Sequence, residues 1–101
     1  MSTLRDPGNR QALSQSEIDN LLKPGWQQQN KIISKTYTFK NYYRTIAFVN
    51  ALAWMAHRED HHPELTVGYN TCRVAYSTHD IGGLSENDFI CAAKADALFE
   101  P

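Results

Sequence analysis

Four histidines stand between positions 57 and 79 of this chain: His57, His61, His62 and His79. Imidazole has an ordinary pKa of about 6.5, so it gives and takes protons near neutral pH, and it is also a common metal ligand. Their neighbours widen the chemical options. Asp60 precedes His61-His62-Pro63, Ser77-Thr78 precedes His79, and Asp80 follows it. Three roles compete for this set. The histidines can be polar residues at loop ends with no chemistry. They can be metal ligands, since His57 and His61 are four apart. Against that, Pro63 ends helical geometry there, the internal Glu-His pattern of helical zinc sites is missing, and no cysteine joins at ligand spacing. Or they can form a metal-free acid–base cluster, in which packed imidazoles disfavour one another's protonation and so supply acid and base together. Asp88 is an acid at the third position after Ser85, which suits a capping box at the start of a helix.

A hairpin is what draws the candidates together. Leu65, Val67 and Tyr69 alternate, as do Cys72, Val74 and Tyr76, so strands are expected over 65–69 and 72–78 with a turn at Asn70-Thr71. Tight pairing of these strands brings their outer ends together. His61 and His62 would then lie about 5 Å, one strand spacing, from His79.

The remaining elements frame that hairpin. Residues 1–12, with Asp6-Pro7-Gly8, read as a loose arm. Ser14 and Glu17 form a capping box, Leu13 and Ile18 a hydrophobic staple, and Pro24-Gly25 ends the first short helix. From Trp26 to Phe39 the period is two, with Ile33, Tyr37 and Phe39 on one face and a turn within polar residues 27–31. Asn41 caps a long helix to about Glu59. One stripe of that helix holds Ile46, Val49, Ala53 and Ala56, and another holds Phe48, Leu52 and Met55. So wide an apolar perimeter predicts self-association. Gly82-Gly83 breaks the chain before a last helix over 86–99. The order α-β-β-α-β-β-α, with two hairpins flanking a helix, predicts an antiparallel α+β fold over 13–101.

A chain of 101 residues holds one small domain and one core. A net charge of −1 gives no basic excess for nucleic acid. No apolar leader opens the chain, and Ile46–Ala56 is far short of the roughly 20 residues that span a bilayer. Cys72 and Cys91, without C-x-x-C spacing, suit reduced thiols, and a cytoplasmic location is expected.

The run Asp60-His61-His62-Pro63, then Tyr69, then Ser77-Thr78-His79-Asp80-Ile81-Gly82-Gly83-Leu84-Ser85, then Asp88, resembles the signature of the pterin-4a-carbinolamine dehydratases. The similarity runs in outline from about Leu13 to Leu98 and includes Gly25-Trp26 and Phe39. It implies a four-stranded antiparallel sheet with its helices packed on one face, assembled into dimers or tetramers. It also implies dehydration of 4a-hydroxytetrahydropterin, left by an aromatic amino-acid hydroxylase, to quinonoid dihydropterin, with neither metal nor cofactor. By position, His61, His62 and His79 form the implied catalytic cluster. Asp60, Ser77, Thr78 and Asp80 lie along the pterin, and Asp88 supports a histidine while capping its helix. The chain departs from the pattern at His57, where many relatives carry an acid, and at Asn87, where some carry a base. Some members also stabilise the dimer of a homeodomain transcription factor, so a protein-interaction module on the same fold is the alternative.

Overall fold

Pairing of two inner strands joins two hairpins into one sheet in the computed structural model, which describes residues 11–100 apart from the His79 side chain. The strands are β1 (Gln27–Gln29), β2 (Ile32–Thr38), β3 (Glu64–Val67) and β4 (Thr71–Tyr76), in the order β1-β2-β4-β3 with every pair antiparallel. The central pair runs from Ile33 opposite Tyr76 to Thr38 opposite Thr71. Helices α1 (Gln15–Leu21), α2 (Tyr42–Glu59) and α3 (Glu86–Leu98) complete the expected order. Period-two alternation decides which sheet face they cover. Ile33, Tyr37, Cys72, Val74 and Tyr76 are buried in one core with Phe48 and Leu52 of α2 and Ala92 of α3. Ser34, Thr36, Thr38 and Arg73 point the other way, and none of them is buried.

Helix ends follow local chemistry. Ser14 and Glu17 exchange their capping bonds at 2.8 and 3.3 Å, and the Asn41 side chain accepts from the Arg44 N–H at 2.9 Å. The end of α2 controls everything downstream. Asp60 adopts the left-handed conformation (φ 57°) that usually favours glycine, and Asp is among the few other residues that tolerate it. The His61 N–H then donates to the Ala56 carbonyl and the Asp60 N–H to that of His57, both at 3.2 Å, as in a Schellman termination. This reversal, followed by Pro63, turns His61 and His62 out of the helix.

Several details differ from the sequence expectation. The β3–β4 turn is Tyr69-Asn70, one residue earlier than expected, closed by the Gly68 N–H on the Thr71 carbonyl at 2.8 Å. The turn is held from outside the hairpin: the Asn70 carbonyl accepts from the Phe39 N–H (2.7 Å), and the Tyr69 carbonyl (3.1 Å) shares the one Thr45 hydroxyl proton with the nearer Asn41 carbonyl (2.9 Å). Tyr69 is consequently an exposed loop residue rather than a strand residue. At the other end β4 stops at Tyr76, because Thr78 leaves the ladder to bridge Gly83, with a single 3-10 turn, His79–Ile81, between them. Of the arm expected over 1–12, residues 1–10 lie outside the described residues. Ala12 packs against Gly83, and the Leu13 N–H donates to the Leu84 carbonyl at 2.8 Å. On α2, Phe48, Leu52 and Ala56 are buried and Ile46 and Val49 half-buried, while Trp54 is 62% exposed.

At one edge of the core, a carboxylate gathers three donors. Asp96 accepts from Trp26 Nε1 at 3.1 Å, Lys35 Nζ at 2.9 Å and the Tyr37 hydroxyl. Gly25 makes room for the lysine: at φ +87°, a Cβ there would sit 3.0 Å from Lys35 Cε. Partial burial pushes the Asp96 carboxyl up, but the bonds from Tyr37, Lys35 and Trp26 prevail and hold it below the usual value. Folding therefore favours the ionised form. Its contribution is complete above the unfolded carboxyl's pKa, about 3.9, and is lost as pH falls through the lower folded value. We expect Asp96→Asn to lower urea-derived stability at pH 7 by roughly 1–3 kcal/mol. We also expect the variant to lose less than the wild type between pH 5 and pH 3; equal acid sensitivity would contradict this assignment.

Candidate active site

The site is built where three chain ends converge: the reversal after α2, the exit of β4 and the start of α3. Asp88, in the first turn of α3, is 0% exposed. Its Oδ2 accepts from the Thr78 hydroxyl at 2.8 Å and the Ser85 N–H at 3.0 Å. Thr78 Oγ1 also lies 2.9 Å from Ser85 Oγ. Since the single Thr78 hydroxyl proton goes to the carboxylate, the serine donates to the threonine. Asp88 Oδ1 is 2.8 Å from His61 Nε2. An ionised carboxylate only accepts, so Nε2 carries the hydrogen and Nδ1 is left as the nitrogen that can exchange a proton. The helix N-terminus further favours the negative charge of Asp88. His61 itself keeps 12% of its side chain exposed, and its ring lies parallel to Tyr76 (4°, centroids 5.6 Å apart).

The imidazole opens onto a cleft of about 380 Å³, a volume suited to a small heterocycle. Asp60, His61, His62, Ser77, Thr78 and Asp80 all line it. Asp88 does not line the cleft: it has no exposed surface and meets the cleft only through His61 and Thr78. His62 is exposed, and His57 sits exposed on the last turn of α2 with its ring 5.6 Å from that of Trp54. Asn87 is buried at 1% exposure, so it offers no surface to a ligand. The His79 backbone opens the 3-10 turn after Thr78; its imidazole lies outside the described residues, as does its distance from His61. Among the described residues, no three His, Cys, Asp or Glu side chains are grouped to hold a metal ion.

The cleft floor holds residues that sequence reasoning missed. Ile32, Glu64, Arg73 and Ala75 come from the sheet face that no helix covers. Alternation with buried Val74 and Tyr76 does place Arg73 and Ala75 on that face. Only the pairing of β2 with β4, whose register begins at Ile33 next to Ile32, turns the face into a floor. A separate groove of about 390 Å³ lies between α2 and β3, and the Asp60-His61-His62 segment is the wall between the two spaces.

Residues 11–98 match the family described as Pterin 4 alpha carbinolamine dehydratase. A Nitrosospira multiformis protein named for that activity is 64% identical over 90 residues, covering 87% of this chain and 80% of its own length. A similarly named protein of Xanthomonas campestris pv. campestris is 57% identical over 97 residues, covering 92% and 82%. This chain belongs to the pterin-4a-carbinolamine dehydratase family. Among solved structures, a transcriptional coactivator/pterin dehydratase from Brucella melitensis superposes with TM-score 0.83 at 32% identity, over 86% of this chain and 97% of that one. A pterin dehydratase-like protein described as a RuBisCO assembly factor in the alpha-carboxysome superposes with TM-score 0.61 at 27% identity, over 72% and 84%.

Within this pterin dehydratase fold, Asp88 and His62 differ sharply in what their loss should do to stability. Asp88→Ala removes a buried carboxylate and strands Thr78, Ser85 and His61, so we expect a loss of roughly 2–4 kcal/mol in urea denaturation. His62→Ala, at an exposed position, should change stability by no more than about 0.5 kcal/mol. Similar values for the two variants would show that Asp88 does not anchor the site.

Proposed function

We propose that this protein dehydrates a 4a-hydroxytetrahydropterin to the quinonoid dihydropterin by acid–base catalysis on histidine. The observation that carries the reading is the buried Asp88 holding Nε2 of His61, a residue that itself lines a cleft large enough for a pterin. The reaction needs one proton delivered to the departing C4a hydroxyl, which leaves as water, and one proton taken from a ring N–H as the C=N bond forms. Proton count and charge balance, and no electron acceptor is needed. His61 and His79 serve as the proton-transfer groups on opposite sides of the ring. Exposed His62 holds the pterin, with Asp60, Ser77, Thr78 and Asp80 along it. Asp60 and Asp80 offer acceptors for a pterin's N–H groups, and the Ser77 hydroxyl can donate as well as accept.

In this reading the protein restores the pterin used by an aromatic amino-acid hydroxylase in the cytoplasm; no helix among the described residues is long and apolar enough to cross a membrane. It does so as a homodimer or homotetramer. Support for assembly comes from α2, which leaves Trp54 and Tyr43 at 62% and 81% exposure on the side away from the core. The coactivator and assembly-factor descriptions of the two solved neighbours favour a second reading, a protein-interaction role on the same scaffold.

We expect His61→Ala to slow dehydration of 4a-hydroxytetrahydropterin, generated in situ by phenylalanine hydroxylase, by roughly 10²-fold. His62→Ala should act mainly through KM. No acceleration by folded wild-type protein would reject the enzyme and leave the interaction role. Sedimentation velocity at micromolar concentration should show an assembly larger than one chain, and monomer alone would remove the argument from α2.

A further inference from the structure

A single hydrogen bond does not orient a ring. With Nε2 of His61 held 2.8 Å from Asp88, combined χ1 and χ2 rotation can still tilt the imidazole about the line from its Cα to Nε2, carrying Nδ1 through an arc. Something else must fix the plane if Nδ1 is to meet a reacting atom. We propose that Tyr76 is the positioning residue that does so. Its ring lies parallel to the imidazole within 4°, at a centroid distance of 5.6 Å that corresponds to an offset stack. Hydrogen bond and stack together remove the motions that either alone would allow. The tyrosine's π-face also attracts a positive charge held over it, so the stack retains the imidazolium as well as the imidazole.

Tyr76 suits this task because it is itself fully enclosed by the core. It closes β4, is 0% exposed and sits against Trp26 (centroids 6.4 Å apart), whose Nε1 is bonded to Asp96. The plane of His61 is thus referred to the rigid edge of the core. Tyr76 does not line the cleft, so it acts through His61 and not on substrate. The hydroxyl is not the useful part. It is buried beside the Cys91 thiol and has no oxygen or nitrogen partner among the described residues. Burial pushes the Cys91 thiol up to about 12, so it stays protonated and takes no part in the chemistry. The ring face alone is what the site uses, which separates Tyr76→Phe from Tyr76→Leu.

The inference rests on the reading of His61 as a proton-transfer group, and the test has one arm independent of it. In the full-length protein without substrate, the His61 ring-proton resonances, assigned by their loss in His61→Gln, should lie upfield of those of exposed His62. Tyr76→Phe should keep that shift and Tyr76→Leu should abolish it. In the dehydration assay, Tyr76→Leu should lower kcat by on the order of tenfold with KM within about twofold, while Tyr76→Phe stays near the wild type. A folded Tyr76→Leu with wild-type kcat, or a Tyr76→Phe that falls as far, overturns the proposal. If Tyr76→Leu does not fold, the wild type and Tyr76→Phe decide it: His61 lines at the His62 position, or moved by Tyr76→Phe, overturn it. A wild type with upfield His61 lines that dehydrates nothing supports the positioning role and rejects the functional reading.

Discussion

A carboxylate with no exposed surface is the constraint on which this structure turns. Asp88 has given up its water and must recover the lost solvation from protein donors, or its burial would be prohibitive. It recovers that solvation from three segments distant in sequence: the Thr78 hydroxyl beyond β4, the Ser85 N–H before α3 and the His61 imidazole beyond α2. Each bond adds a side-chain tie to a segment whose backbone is already turned, by the reversal after α2, by the Thr78–Gly83 bridge or by the Leu13–Leu84 bond. The site is therefore a by-product of satisfying one charge, and it exists only when all three ends are in place.

The geometry of those ends also explains why the cleft opens where it does. Asp60 in the left-handed conformation stops α2 and reverses the chain, Thr78 leaves the β4 ladder for Gly83, and the strands themselves end at Glu64 and Tyr76. Beyond the last ladder pair there is no sheet to fill the space, and polar side chains surround it. Helices cover only one sheet face, so the floor is formed by the other face, with Arg73 and Ala75. The clustered donors of Asp96 hold the far edge of the same core, and the contact of Trp26 with Tyr76 links the two polar sites through packed rings.

Much of the architecture was legible because local signals agreed with the final packing. Asn41, and Ser14 with Glu17, mark helix starts in the sequence and in the structure, Pro24-Gly25 follows closely on the end of α1 at Leu21, and alternation in 72–76 identifies the core face of β4. The hairpin expectation set His61 and His62 beside His79, whose side chain lies outside the described residues; the segments at the two strand ends, Asp60-His61-His62 and Ser77-Thr78, do line one cleft. What was not legible depends on contacts between segments. The turn shifted to Tyr69-Asn70 because Thr45 and Phe39 hold its carbonyls, and no property of the turn residues announces that. Asp96 looks like an ordinary helical acid until Trp26, Lys35 and Tyr37 are laid beside it. Tyr76 reads as core from its alternation, and only the reversal at Asp60 puts His61 on its face.

Proton transfer at this site depends most on which nitrogen of His61 Asp88 holds. The direct measurement is the ¹⁵N spectrum of the His61 imidazole in the substrate-free protein, at a pH where the ring is neutral. The structure predicts a protonated Nε2 and a bare Nδ1, with Asp88→Asn disturbing that preference. A ring protonated at Nδ1, or one that exchanges equally between tautomers, would mean that the buried carboxylate does not set the histidine, and the catalytic reading built on it would fail.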